Sequence, residues 1–152
     1  MKLYCAGPLF SEAERAFLES CVRRFRAAGI DCFLPHEEIL ATEAVSAERI
    51  FAVDYEGLAQ ANAVFAWLDG PLVDDGTACE IGIFYGLMPR GEIPRKGIVG
   101  LVTDLRRERR RRGVENGGLN LFVAGAIQRA GRICWSLDEA LDQLLAWKRE
   151  LD

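Results

Sequence analysis

Short apolar stretches alternate along the chain with longer segments in which apolar residues recur every three or four positions. The first stretch, Lys2–Ala6, ends at a Gly-Pro pair, and a helical pattern follows it as far as Gly29. Four more stretches have the length of buried strands, at 30–34, 63–68, 97–102 and 132–135. Helical spacing predicts further helices at 47–61, 76–87, 119–130 and 137–151. The pattern therefore predicts strands and helices in alternation.

This alternation is typical of an open parallel sheet that carries helices on both faces and has right-handed crossovers. The stretch 63–68 is apolar throughout, as a central strand buried on both faces requires. Five strands favour a flavodoxin-like α/β three-layer sandwich with strand order 2-1-3-4-5, in a single domain over residues 1–152. Ligands of such sheets bind at the carboxyl ends of the strands, where strands 1 and 3 lie side by side.

Composition narrows the class of protein. Hydrophobic residues make up 50% of the 152 positions and charged residues 28%, which is close to the globular average and argues against disorder. No apolar run approaches the roughly 20 residues that span a bilayer. The N-terminal segment also turns acidic too early for a signal peptide. We therefore expect a cytoplasmic protein that has no membrane partner.

Metal and nucleic-acid functions find little support. The five cysteines are scattered without a C-x-x-C pair, and His36 is the single histidine, so neither a zinc site nor a disulfide framework is expected. The net charge of −4 argues against general binding of nucleic acid. The run 106–112 contains six arginines but no interleaved aromatic residue, so we predict a solvated loop there.

Four acidic residues follow the third strand, at the edge where the ligand crevice is predicted. They are Asp69, Asp74, Asp75 and Glu80. Glu80 is expected in the first turn or so of its helix, where the helix dipole favours the charged form that a carboxylate nucleophile needs. Asp75 is the predicted N-cap of that helix. Spacing alone leaves a second interpretation open, because acidic residues also cap helices without any catalytic role.

The acidic crevice also limits the chemical class of the ligand. The sequence contains neither the G-x-G-x-x-G pattern of dinucleotide sites nor the P-loop pattern G-x-x-x-x-G-K-[ST]. Carboxylates would repel a phosphate group, so a neutral ligand with hydroxyl groups or a base fits better.

Four motifs in order carry a resemblance to a known family. They are Y-x-A-G-P-x-F at 4–10, A-x-L-D-G at 66–70, D-x-G-T-x-x-E-I-G at 74–82 and G-L-x-T-D-x-R at 100–106. Together they resemble the nucleoside 2-deoxyribosyltransferases, from the first strand to about residue 130. The resemblance implies a flavodoxin-like fold and the transfer of 2-deoxyribose from a 2′-deoxynucleoside to a free nucleobase, in nucleotide salvage, without metal or cofactor.

The same resemblance assigns roles to individual residues. It implies that Glu80 is the nucleophile, that it forms a covalent glycosyl intermediate with overall retention, and that Tyr4 hydrogen-bonds its carboxylate. Asp69 would donate a proton to the base or anchor it, and Asp74 would hold a sugar hydroxyl. Asn120 matches an asparagine that a neighbouring subunit donates, so a homo-oligomer with an even number of subunits is expected.

Other residues near the predicted crevice have two interpretations. Gly7 and Phe10 follow the first strand, and Phe10 either stacks on the base or packs in a loop. His36 lies in the predicted loop after the second strand, as a base contact or as an ordinary surface residue. Asp54 lies inside a predicted helix and either turns towards the site or faces solvent.

Two other functions compete with the transferase. A related class hydrolyses 2′-deoxynucleoside 5′-monophosphates with the same glutamate, and such hydrolases tend to carry a phosphate-binding serine six residues before it. Here that position is Asp74, whose charge would repel the phosphate. The other alternative is a non-catalytic nucleotide-sensing module, which has no need for Tyr4, Asp74 and Glu80 to converge.

Overall fold

A parallel sheet of five strands lies at the centre of the protein, in the order β2-β1-β3-β4-β5. The computed structural model describes residues 1–39 and 45–152. The strands are β1 Lys2–Ala6, β2 Asp31–Phe33, β3 Ala63–Trp67, β4 Gly97–Leu101 and β5 Arg132–Cys134. All four neighbouring pairs are parallel. The predicted α/β fold class and the order 2-1-3-4-5 are confirmed.

Seven α-helices occur in the described part of the chain. They are α1 Glu12–Ala27, α2 Pro35–Ile39, α3 Ala47–Gln60, α4 Asp75–Leu87, α5 Arg106–Arg111, α6 Leu121–Ala130 and α7 Leu137–Arg149. A capping box begins α1, because Ser11 Oγ accepts from the Glu14 amide and Glu14 Oε2 accepts from the Ser11 amide. None of the described helices is both long and apolar enough to cross a membrane.

The two faces of the sheet bury separate apolar clusters. One cluster is covered by α1 and α7 and includes Phe25 and Trp147, while the other is covered by α3, α4 and α6 and includes Tyr4 and Phe84. Strand β3 is buried along its whole length, as its apolar sequence predicts. Helices α1 and α4 therefore lie on opposite faces of the sheet, and the candidate site lies on the α4 face.

Two segments predicted as loops are short helices instead. Residues 35–39 form α2, which begins at Pro35, a residue whose fixed φ suits the first helical turn. The rest of the predicted polar loop includes residues 40–44, which lie outside the described residues. The arginine run forms α5, and its first residue, Arg106, is buried rather than solvated.

Two helix starts also differ from the prediction. Helix α4 is capped by Asp74 and not by Asp75, because Asp74 Oδ2 accepts from the Thr77 amide at 2.9 Å. Helix α6 begins at Leu121 rather than at 119, since Asn120 Oδ1 accepts from the amides of the two residues that follow Leu121.

Candidate active site

A hydrogen bond between β1 and α4 forms the centre of the candidate site. Tyr4 is the third residue of β1, and alternation along the strand directs its side chain to the face that α4 covers. Its hydroxyl donates to Glu80 Oε1 at 2.6 Å. Tyr4 is fully buried, and burial, together with the charge of Glu80, raises the pKa of its phenol above the ordinary value. The phenol therefore stays protonated and acts as a donor.

The charge state of Glu80 differs from the prediction. Because α4 starts at Asp75, Glu80 is the sixth residue of the helix and lies beyond the first turn, where the dipole effect is concentrated. Burial raises the pKa of Glu80 to about 8, the Tyr4 hydrogen bond lowers it, and the charges of Asp54 and Asp74 raise it. The helix N-terminus thus does not dominate, and the free carboxyl tends to hold a proton near neutral pH.

A second carboxyl group faces the same cavity. The cavity lies between α3 and α4, has a volume of about 350 Å³, and is lined by Asp54 and Glu80 among mostly apolar side chains. Burial raises the pKa of Asp54 to about 6. Within the described structure, Asp54 Oδ1 is buried without a hydrogen-bond partner. Two carboxyl groups with raised pKa values can divide the roles of nucleophile and proton donor.

Two aromatic side chains of α3 line this cavity. Phe51 and Tyr55 lie one turn apart on α3 and stack on each other, with ring centroids 5.8 Å apart. Both line the cavity, as does the exposed Cys79 next to the nucleophile candidate. The opening therefore offers flat apolar surface beside the two carboxyl groups, as a nucleobase requires.

Asp69 is held in a different way from Asp54. Its Oδ1 accepts from the Thr103 amide at 2.6 Å, and its Oδ2 accepts from the Thr103 hydroxyl. Both oxygens therefore accept hydrogen bonds from the loop after β4, which fixes the orientation of the carboxyl group. This geometry ties the end of β3 to the end of β4.

Arg106 makes a second connection between the same two loops. Its guanidinium pairs with Asp104 and donates to the Gly70 carbonyl at 2.7 Å. The Gly70 amide donates in turn to Asp104 Oδ2 at 3.2 Å. The residues of the fourth motif, G-L-x-T-D-x-R, thus position the loop that leads from β3 to α4. The sequence showed the motif but not this role, because partners 34 to 36 positions apart leave no local pattern.

The remaining predicted site residues lie elsewhere. Gly7 packs on the α1 side, where an added Cβ would lie 3.3 Å from Trp67 Cβ. Phe10 is 87% exposed. His36 Nε2 lies 3.0 Å from Glu19 Oε1 of α1. None of these three is among the described residues that line the cavity, so their substrate contacts stay predictions.

Asp74 and Asn120 share one local role, because each is the N-cap of a helix. Asp74 Oδ2 also accepts from the Thr77 hydroxyl at 3.0 Å, so one of its carboxylate oxygens holds the start of α4. Asn120 is exposed and lies before α6. Over residues 1–39 and 45–152, no group of three or more His, Cys, Asp or Glu side chains is arranged to hold a metal ion.

Solved structures share the fold of this chain. A conserved protein from Enterococcus faecalis V583 is 30% identical, with 96% of this chain and 98% of that chain covered and a TM-score of 0.77. A 2-deoxyribosyltransferase from Bacillus psychrosaccharolyticus is 22% identical, with 93% and 90% covered and a TM-score of 0.68. A CMP N-glycosidase from Clostridium botulinum is 18% identical, with 95% and 98% covered and a TM-score of 0.55.

Sequence comparison reaches the same group of proteins. No curated protein matches the chain significantly. The family model for nucleoside 2-deoxyribosyltransferases, however, matches residues 3–121, which is well over half of the chain and contains Tyr4, Asp54 and Glu80. The match supports an enzyme that acts on nucleosides, either as a deoxyribosyltransferase or as a related N-glycosidase. The chain belongs to the nucleoside 2-deoxyribosyltransferase family.

Proposed function

We propose that the protein transfers 2-deoxyribose from a 2′-deoxynucleoside to a second nucleobase, with Glu80 as the nucleophile. The observation that carries the proposal is the 2.6 Å hydrogen bond from Tyr4 to Glu80 in a cavity that also contains Asp54. The bond engages Oε1 and favours the ionised form of the carboxyl. It thereby opposes the effect of burial, which favours the protonated form.

The first half-reaction forms the glycosyl-enzyme. Glu80 Oε2 attacks the anomeric carbon through an oxocarbenium-like transition state, and the bond from that carbon to the base nitrogen breaks. The electron pair of the broken bond goes to the base, which takes a proton from Asp54. In the second half-reaction another base attacks the anomeric carbon, its proton returns to Asp54, and the Glu80 carboxylate leaves with overall retention.

Asp54 suits the role of proton donor better than Asp69, for which the family resemblance implied either proton donation to the base or anchoring of it. Burial raises the pKa of Asp54 to about 6, closer to neutral pH than that of an ordinary aspartate, so this group can exchange a proton with the base, and its Oδ1 makes no hydrogen bond to another described residue. Asp69 instead accepts hydrogen bonds from Thr103 on both oxygens. We therefore assign base protonation to Asp54 and the positioning of the loop after β3 to Asp69.

The environment of Asp74 favours a nucleoside over a nucleoside monophosphate. Asp74 is half-buried at the N-cap of α4, and its carboxylate contributes to the raised pKa of Glu80. A substrate phosphate near this group would meet the repulsion of a like charge. A sugar hydroxyl can instead donate a hydrogen bond to the carboxylate oxygen that Thr77 leaves free. This observation supports transfer over the hydrolysis of 5′-monophosphates.

An exposed apolar surface supports a homo-oligomer. A groove of about 590 Å³ between α4 and α6 is lined by Gly82, Gly125, Leu121 and Phe122. The side chains of Leu121 and Phe122 are 61% and 90% exposed, whereas a Cβ added at either glycine would meet no neighbouring atom. The protruding side chains of Leu121 and Phe122 and the open space at the two glycines thus lie on the same surface. A two-fold interface between identical copies requires such a self-complementary surface.

We infer that a second copy of the chain packs on this surface. Asn120 precedes the two protruding residues, and its carboxamide oxygen caps α6, so its NH₂ group is left to donate. In a two-fold dimer this group would reach a sugar hydroxyl in the site of the partner subunit. An even number of subunits follows from such an interface.

One experiment separates transfer from hydrolysis. The protein is incubated with 2′-deoxyinosine, with and without free adenine, and the products are followed by chromatography. Transfer predicts 2′-deoxyadenosine only when adenine is present. Free 2-deoxyribose as the main product in both reactions would indicate a hydrolase, and Glu80→Ala provides the control for a contaminating activity.

A further inference from the structure

A second aromatic ring supports the tyrosine that binds the nucleophile. Phe33 lies directly opposite Tyr4 in the pairing of β1 with β2. The two rings stack with their centroids 5.2 Å apart and an interplanar angle of 16°. Because the phenol ring of Tyr4 carries the hydroxyl that donates to Glu80, the position of this ring determines the geometry of the 2.6 Å hydrogen bond.

The Phe33 ring also packs closely against a glycine of α3. Gly57 is buried, and a Cβ added there would lie 2.8 to 2.9 Å from three consecutive atoms of the Phe33 ring. Carbon atoms in proteins do not approach so closely, so any other residue at this position would displace the ring. Glycine in the interior of a helix is destabilising relative to alanine, so its presence here indicates that the close packing against Phe33 requires it.

We propose that Gly57 and Phe33 are positioning residues, which clamp the Tyr4 ring so that its hydroxyl stays on Glu80. The contacts run from helix α3 through Phe33 to Tyr4 and end at the nucleophile. This inference rests on the proposed role of Glu80 and extends it to two residues outside the cavity. Neither of them lines the cavity that contains Asp54 and Glu80.

The clamp has a consequence for the charge of the nucleophile. The hydrogen bond from Tyr4 lowers the pKa of Glu80, against the effect of burial. A looser phenol ring weakens that bond, so the carboxylate form becomes harder to reach and activity begins at a higher pH. A residue that only stabilises the fold would lower the amount of folded protein without moving this pH.

The test compares Phe33→Leu and Gly57→Ala with the wild type and with Phe17→Leu. Phe17 is a matched control, because it is also a partly buried phenylalanine and packs on Trp67, with ring centroids 4.5 Å apart, in the cluster on the other face of the sheet. The pKa of Glu80 is measured from the ¹³C resonance of its carboxyl carbon. The pH dependence of kcat/KM for 2′-deoxyinosine is recorded in parallel.

We expect Phe33→Leu to raise the pKa of Glu80 by about one unit, as the loss of part of a charge-assisted hydrogen bond implies. The acid limb of kcat/KM should move by the same amount. Gly57→Ala should act in the same direction, and Phe17→Leu should leave both quantities unchanged. In a Tyr4→Phe background, Phe33→Leu should have no further effect, because the hydrogen bond is already absent.

Equal pKa values of Glu80 in Phe33→Leu and Phe17→Leu would overturn the clamp, as would a Tyr4→Phe variant with an unchanged pKa. If Gly57→Ala does not fold, the comparison of the two phenylalanine variants still decides the question. The NMR titration needs no substrate. A raised pKa in a protein that transfers no sugar would therefore refute the proposed function and leave the clamp in place.

Discussion

The buried carboxyl of Glu80 makes the stability of the protein depend on pH in a direction that can be measured. The native state raises the pKa of this group from 4.5 to about 8, mainly by burial. The native state therefore binds the proton more tightly than the unfolded chain does. Between the two values, the free energy of unfolding falls as the pH rises, and above the folded value the loss is complete.

The variant Glu80→Gln removes this dependence with little change in shape. Its amide oxygen can still accept from the Tyr4 hydroxyl, but the side chain no longer ionises. One pKa unit corresponds to about 1.4 kcal/mol, so the advantage of the variant over the wild type should grow by on the order of 4 kcal/mol between about pH 5 and pH 9. Most of the growth in this stability difference should occur at pH values below the folded pKa of Glu80.

Urea unfolding followed by circular dichroism measures this difference, with a reductant present for the five free cysteines and a fixed protein concentration. Glu92→Gln is the control, because Glu92 is exposed. Its stability curve should run parallel to that of the wild type. If the curve of Glu80→Gln were parallel as well, Glu80 would not be a buried carboxyl with a raised pKa, and the charge argument for the site would fail.

Four other results are expected. Asp54→Asn should lower kcat/KM for natural 2′-deoxynucleosides by about 10²–10⁴. It should hardly change the release of 4-nitrophenol from 4-nitrophenyl 2-deoxyriboside, because this leaving group needs no proton. Equal losses with both substrates would contradict the role of Asp54 as proton donor. Thr103→Val should destabilise the fold by about 1–2 kcal/mol in urea, since Asp69 loses a hydroxyl donor, and an unchanged midpoint would count against this connection. Inosine should react far more slowly than 2′-deoxyinosine, because a 2′-hydroxyl crowds the nucleophile, and comparable turnover would refute the preference. Mixing inactive Glu80→Ala chains with weakly active Asn120→Ala chains should restore activity, and no rescue from subunits shown to exchange would rule out a shared site.

The sequence by itself determined the sheet and the centre of the site. Apolar strands that alternate with helical patterns predict a parallel sheet, because helices that connect neighbouring parallel strands cover both faces of the sheet. The strand order and the buried β3 follow the prediction. The motifs that contain Tyr4 and Glu80 were also recognised, and their side chains meet in the structure. These features are readable because they depend on local periodicity and on short motifs.

Only the tertiary structure distinguishes Asp54 from Asp69 as the candidate proton donor. Asp54 and Asp69 are the same residue type, and only Asp69 lies in a family motif at the end of a strand. Packing of α3 against α4 buries Asp54 beside Glu80, whereas Thr103, far along the chain, donates hydrogen bonds to both oxygens of Asp69. The pKa of a side chain depends on its solvation and on its neighbours in space, and neither is written in the local sequence.

The same reason explains the other differences. The start of α4 is set by which of two adjacent aspartates accepts from the Thr77 amide, and Asp74 is the one that does. The local sequence predicts Arg106 as part of a solvated run of arginines, but its guanidinium donates to two carbonyls of the loop after β3. Residues in the interior of an element were predictable from periodicity, while residues at its ends depend on partners that only folding brings within hydrogen-bond distance.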